Sequence, residues 1–205
     1  MTKRSSAEQM RQQSYGNPDK ETHYNQWAAT YDKDLLSEGY EGPKQAAQLL
    51  SSIVAPESTV MDFGCGSGLV GEQLSLLGYP HLYGADISQN MLDIAASRQC
   101  YVSLRQHNLE TIMVDDIRYD AGICVGVCSF GPIVAEHLAH MIAVLKPGAP
   151  LIVSINGLAW EEKAWAQQLD DAQTSCNYVV EYIKTIPYLV DKDIEAKLLI
   201  IRQAD

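Results

Sequence analysis

The run Thr59-Val60-Met61-Asp62-Phe63-Gly64-Cys65-Gly66-Ser67-Gly68, followed by Gly84-Ala85-Asp86-Ile87-Ser88, constrains this chain more than any other feature of it. It predicts a buried strand over 59–63, a glycine turn, a helix, and a second strand ending in an acid. Glycines at alternate positions let the backbone turn tightly and let a ligand approach the main chain, because no Cβ intervenes and positive φ carries no penalty. Asp86 then falls where a second-strand carboxylate accepts hydrogen bonds from both hydroxyls of a ribose. A nucleoside cofactor is the expectation.

Gly66-Ser67-Gly68-Leu69-Val70-Gly71 also satisfies the GxGxxG pattern of dinucleotide-binding proteins, a weak match on its own. Asp62, two residues ahead of the first glycine, separates the possibilities. A carboxylate there repels a pyrophosphate: two unit charges about 4 Å apart interact by about 4 kcal/mol at an effective dielectric near 20. The same carboxylate attracts an ammonium group. S-adenosylmethionine carries an α-ammonium, a sulfonium and a ribose but no phosphate, so Asp62 favours it over NAD.

Asp62-Phe63-Gly64-Cys65-Gly66-Ser67-Gly68 resembles the first motif of class I S-adenosylmethionine-dependent methyltransferases. Gly84-Ala85-Asp86-Ile87-Ser88 with Met91-Leu92 resembles their second, and Leu145-Lys146-Pro147-Gly148 the turn before their fifth strand. The resemblance extends over about residues 24–205. Within the superfamily the chain is most similar to the methyltransferase-like proteins of the Williams–Beuren region, through the whole pattern including Tyr31-Asp32 and Gly39-Tyr40-Glu41-Gly42-Pro43. It implies a Rossmann-like α/β fold: a seven-stranded, mostly parallel sheet with helices on both faces and the seventh strand inserted antiparallel next to the fifth.

At 205 residues the chain fits one domain with a substantial core. A formal charge of −11 opposes a surface built for nucleic acid or anionic lipid, which need clustered Lys and Arg. Five cysteines without CxxC spacing read as reduced thiols of a cytoplasmic protein. Cys124 and Cys128 are four apart, and the flanking apolar run favours a core role for Cys124 over a metal ligand. No signal peptide or membrane-spanning window is visible. Residues 1–23, polar in composition, are expected to form a mobile tail, and 24–205 a single domain in which 24–57 is a helical lid or cap. Trp27 and Tyr31, four apart, are expected on one helical face.

The alternation beyond residue 57 predicts strands near 59–63, 81–85, 102–106, 120–127 and 151–155. Helices are expected near 69–77, 89–98, 132–144 and 161–172, the second with Ser88 as N-cap. Strands near 178–186 and 197–202 are expected to close as an antiparallel hairpin.

Ligands in open α/β sheets bind outside the carboxyl ends of the strands. Gly64, Cys65, Gly66 and Gly68 are therefore expected around the methionine part of the cofactor, with Asp62 toward the ammonium, directly or through water. Ile87 and Met91 are expected to wall the adenine, and Asn108 and Leu109 to close its slot. The family usually places an acid where Asn108 stands; its side-chain oxygen can accept the same bond, or the residue is simply a loop asparagine. Val125 and its neighbours at the end of the fourth strand face the transferred methyl by position. This region lacks the Asn/Asp-Pro-Pro-aromatic motif used on base and glutamine amino groups, which argues further against a nucleic-acid substrate. Tyr24, Trp27, Tyr31 and Tyr40 form either a packing helix or an aromatic lid that shields a sulfonium. His137 and His140 are candidate bases, although core or surface roles suit both, and Cys128 can serve as a pocket-wall thiol. The expected reaction is in-line methyl transfer to a small-molecule acceptor, which needs alignment more than acid–base chemistry and no metal. A non-catalytic S-adenosylmethionine-binding protein would share every cofactor residue. The oligomeric state and the acceptor are not legible.

Overall fold

Alternation of side chains along each strand sends neighbouring residues to opposite faces. Val60 enters one hydrophobic cluster while Met61 and Phe63 enter another, and Ile152 is likewise opposed to Leu151 and Val153. A central strand buried on both sides must therefore be apolar throughout. A computed structural model, which describes residues 20–114 and 116–204, shows the result. The strands are β1 (Val60–Phe63), β2 (Leu82–Asp86), β3 (Tyr101–Gln106), β4 (Ala121–Cys128), β5 (Leu151–Asn156), β6 (Tyr178–Leu189) and β7 (Ile194–Gln203). They form one sheet in the order β3-β2-β1-β4-β5-β7-β6. The first five run parallel, and β7 lies antiparallel between β5 and β6.

The helices are α1 (Lys20–Trp27), α2 (Tyr31–Leu36), α3 (Gly42–Ser51), α4 (Leu69–Leu76), α5 (Gln89–Ser97), α6 (Leu138–Ile142), α7 (Gly157–Glu162) and α8 (Trp165–Ser175). Ala46, Ala47 and Leu50 of α3 join Val70 and Leu74 of α4 over one face of the sheet; Leu138, Met141, Trp165 and Leu169 cover the other.

Four expectations need correction. The first helix begins at Lys20, so residues 20–23 belong to structure and not to a tail; residues 1–19 lie outside the described residues. Trp27 and Tyr31 do not share a helix, because α1 ends at Trp27 and α2 starts at Tyr31. Their rings still meet edge to face at 4.7 Å. The helix expected over 132–144 starts only at Ala135, as a 3-10 turn. Lys163 Nζ donates to the carbonyls of Gly131 (2.8 Å) and Ile133 (3.0 Å), holding that stretch outside the helix. The helix expected over 161–172 is two helices. Asn156 Oδ1 caps α7 by accepting from the Leu158 and Ala159 amides, and Ala164 breaks the run at φ +50°.

One irregularity shapes the site. Cys124 pairs with Val153 and Cys128 with Ile155, so three residues of β4 oppose one of β5. Such a bulge re-aims side chains at the end of a strand. Gly126 in the bulge has φ +81° and donates its amide to Ser154 Oγ at 3.1 Å.

Candidate cofactor and acceptor site

The turn after β1 is built around one carbonyl and one carboxylate. The amides of Gly64 and Cys65 both donate to Ala85 O, at 2.7 and 3.0 Å, tying the turn to the end of β2. Gly64 has φ +70°, and a Cβ on it would lie 2.2 Å from Val127 Cγ2. Gly66, at φ +53°, has nothing within 4 Å of where its Cβ would stand: its open side faces the crevice. Asp86 holds the turn from the other strand. Its Oδ2 accepts from the Gly66 amide at 2.9 Å and its Oδ1 from the Ser88 amide at 2.9 Å. Each oxygen retains a lone pair for a further donor. Burial pushes the Asp86 carboxyl up, and the amides of Ser88 and Gly66 pull it back.

Asp62 sits one layer behind. Its carboxylate is buried, Oδ2 accepts from Tyr101 Oη at 2.6 Å, and Oδ1 has no hydrogen-bond partner. Burial raises its pKa to about 7, with Tyr101 opposing the shift and Asp86 adding to it. An unpartnered buried carboxylate oxygen beside a glycine turn suits an incoming cation and opposes a phosphate.

A cavity of about 110 Å³ opens at the carboxyl ends of β1, β2 and β4. Gly64, Gly66 and Asp86 line it from the glycine turn, Ile87 and Met91 from the start of α5, and Asn108 and Leu109 from the loop after β3. Val125 and Tyr31 complete the expected set. The structure thus brings together nine of the residues expected there, and three stand outside the lining. Asp62 is screened as described. Cys65 points back toward Gly84, where a Cβ would stand 3.0 Å from its Sγ. Gly68 packs on Ala95 of α5 and on Arg98 just after it, so it serves the turn and not the crevice. Asn108 is exposed at the rim and its Oδ1 already accepts from the Glu110 amide at 3.0 Å, which leaves one lone pair.

Several lining residues were not expected from the sequence: Glu110, Gly131, Pro132 and Ile133. Gly131-Pro132 is a turn signal, and reading it as such would have kept this loop out of the helix. His137 and His140 line neither this cavity nor the one described next. The Val134 amide donates to His137 Nδ1, and burial and the neighbouring His140 lower the His137 pKa. Cys124 and Cys128 are buried core residues. Among the described residues, no group of three or more His, Cys, Asp or Glu side chains is arranged to hold a metal ion.

A second cavity, of about 270 Å³, adjoins the first and shares Tyr24, Tyr31, Gly126 and Ser129 with it. Its other walls are Trp27, Tyr40, Phe130 and Tyr188, with Asp34, Glu38 and Asn156 among its polar groups. Tyr40 and Tyr188 meet edge to face at 5.1 Å, with their hydroxyls 3.3 Å apart.

Polar contacts seat the N-terminal segment over this ground. Asp32 accepts from Ser67 Oγ of the glycine turn and from Arg98 Nη2, while Arg98 Nε donates to Ser67 O at 2.7 Å. Asn25 accepts from Ser88 Oγ (2.6 Å) and from the Asn90 amide (3.1 Å). The aromatic segment is therefore fastened to both cofactor motifs. The sequence carried no sign of this, since the partners lie 35 to 66 residues apart.

Comparison with known proteins agrees with this geometry. Residues 60–148 match the family model of a methyltransferase domain. Human methyltransferase-like protein 27 is 32% identical over 130 residues, covering 61% of this chain and 53% of that protein. A ribosomal protein L11 methyltransferase of Thermoanaerobacter is 33% identical over 125 residues, covering 58% of this chain and 36% of that one. The chain thus spans about half the length, or less, of these curated relatives. Magnesium protoporphyrin IX methyltransferase from Synechocystis, solved with bound S-adenosylhomocysteine, shares the fold at a TM-score of 0.60 with 16% identity, over 83% of this chain and 86% of that one. The sheet order is that of a Rossmann-like methyltransferase fold, and residues 60–148 within it are similar to a methyltransferase domain. Among the described residues, no helix is long and apolar enough to cross a membrane.

Proposed function

We propose that this chain transfers a methyl group from S-adenosylmethionine to a small-molecule acceptor. When bound, S-adenosylmethionine supplies an activated methyl on a good leaving group, so the protein's part is to hold, align and keep dry. Asp86 is suited to the ribose hydroxyls, because each of its oxygens is fixed by a backbone amide and keeps a free lone pair. Gly66 leaves open space for the ligand's approach. Ile87, Met91 and Leu109 offer apolar walls for the adenine. Asp62 supplies negative charge behind the turn, reaching the ammonium directly or through a water.

The observation that carries the reading is the second cavity. A protein that only sensed the cofactor would need one crevice, whereas this chain has a second chamber sharing four residues with the first. Placing two reactants in adjoining compartments is how effective molarities of about 10⁵ M or more arise. The bulge at Val125–Val127 lies at the junction, with Gly126 lining both. A formal charge of −11 suits a small neutral or cationic acceptor better than nucleic acid. The test is calorimetric binding of S-adenosylmethionine followed by a methyl-acceptor screen against metabolite extracts and intact ribosomal protein. Labelled methyl in a small molecule supports the reading; labelling of protein alone overturns it.

A further inference from the structure

The second cavity combines three properties. Its walls are aromatic from both sides: Tyr24, Trp27 and Tyr31 on the N-terminal segment, Tyr40 and Tyr188 opposite. Trp27 stacks on Tyr24 at 6.3 Å and meets Tyr31 edge to face at 4.7 Å. Asp34 and Glu38 stand among the lining residues, and among the described residues no Lys or Arg does. Finally, Asn156 and Ser129 place further polar side chains among the walls.

We infer that this cavity is an acceptor pocket for a small organic amine, held in its cationic form by the aromatic faces and by the carboxylates of Asp34 and Glu38. The inference rests on the methyl-transfer reading and names its substrate class. Aromatic rings attract a cation through their negative faces, most strongly where water is excluded. The two acids differ in their freedom. Glu38 is paired with Lys192 at 2.9 Å. Asp34 accepts from Trp27 Nε1 (2.8 Å) and Thr30 Oγ1 (2.9 Å), which hold its carboxyl below the usual carboxylate range and so keep it charged. Its bond to Trp27 also fixes the indole.

The tyrosines fit the same role. Burial pushes Tyr24 and Tyr188 up to about 12 and raises Tyr31 and Tyr40 as well. They stay neutral at physiological pH, so they offer ring faces and hydroxyl oxygens and no base. The amine must shed a proton to solvent before reacting. Its nitrogen lone pair then forms the N–C bond, the C–S electron pair returns to sulfur, and the positive charge arrives on nitrogen. A pocket that favours a cation therefore favours the product side of that step.

The experiment uses the wild-type chain saturated with S-adenosylhomocysteine, so that no turnover occurs. Choline and its neutral carbon isostere, 3,3-dimethyl-1-butanol, are titrated calorimetrically. Choline should bind at least about tenfold more tightly than the isostere. Asp34→Asn and Trp27→Leu should each weaken choline by about three- to tenfold, and by more than either weakens S-adenosylhomocysteine. Equal affinity for the two probes, or binding of neither, overturns the amine assignment while leaving cofactor binding intact. Failure of S-adenosylhomocysteine itself to bind overturns the methyl-transfer reading, and that outcome is separately visible in the first titration.

Discussion

Tyr101, the first residue of β3, reaches across the intervening strand to donate a 2.6 Å hydrogen bond to Asp62 on β1. Two glycines make the reach possible. Gly84 on β2 pairs in register with Asp62, and a Cβ there would lie 3.1 Å from the Tyr101 ring. Gly71 of α4 lies over the phenol; a Cβ would come within 2.3 Å of it, and its amide donates to Tyr101 Oη at 3.1 Å. The chain Gly71 N–H to Tyr101 to Asp62 accounts for the last glycine of the GxGxxG match. That glycine makes room for a tyrosine that positions an acid.

Tyr101→Phe leaves both Asp62 oxygens without a donor and the Gly71 amide without its acceptor. Leaving a buried polar group unsatisfied costs about 1 to 3 kcal/mol. Denaturant unfolding should show a loss of that size, with cofactor affinity falling less than in Asp62 variants. An unchanged midpoint would mean that the bond contributes nothing in solution.

Asp62 also sets a pH dependence. Its carboxyl is raised from 3.8 to about 7, so between those values the folded chain holds a proton that the unfolded chain has released. This contribution to stability is full below about pH 4 and is lost as pH rises through about 7. Ligand affinity runs the other way, since an ammonium favours the ionised acid. S-adenosylhomocysteine should bind more tightly as pH rises from 6 to about 7.5, and Asp62→Asn should flatten that rise. A slope as steep as that of the wild type in Asp62→Asn would remove Asp62 from the account.

Asp86→Ala deletes the acceptor for two backbone amides as well as for the ribose. Hydrogen bonds to a charged group contribute about 1.5 to 3 kcal/mol each, so affinity should fall by at least about tenfold. Full affinity in a folded variant would move the ribose elsewhere.

The fastening of the N-terminal segment gives a separate expectation. Asp32→Ala breaks its contacts to both Ser67 and Arg98. Hydrogen exchange over residues 20–42 should quicken in the variant, and added S-adenosylhomocysteine should slow it in the wild type. A segment whose exchange answers to neither change is a fixed packing element and no lid.

Much of this architecture was legible because period and punctuation coincide. Gly64 to Gly68, Asp86 and the Ser88 cap carry local signals, and the buried alternation of β1, β4 and β5 follows from β-branched and apolar runs. Long-range partnerships were not legible. Nothing in the sequence couples Tyr101 to Asp62 or Asp32 to Arg98, because such pairs depend on strand order and on which glycines leave space. The helix expected over 132–144 failed for a similar reason. Its first turn is displaced by Lys163, some thirty residues downstream. Cys65 and Gly68 were placed in the lining because the motif is contiguous in sequence, whereas a tight turn presents only some of its residues to one side.

The acidic glycine turn is expected to accept S-adenosylmethionine and to reject a dinucleotide. Calorimetric titration of the wild-type chain with S-adenosylmethionine, S-adenosylhomocysteine and NAD at pH 7.5 tests it most directly. Saturable binding of the first two is expected, and none of NAD at comparable concentration. Binding of NAD as tight as that of S-adenosylmethionine would contradict it.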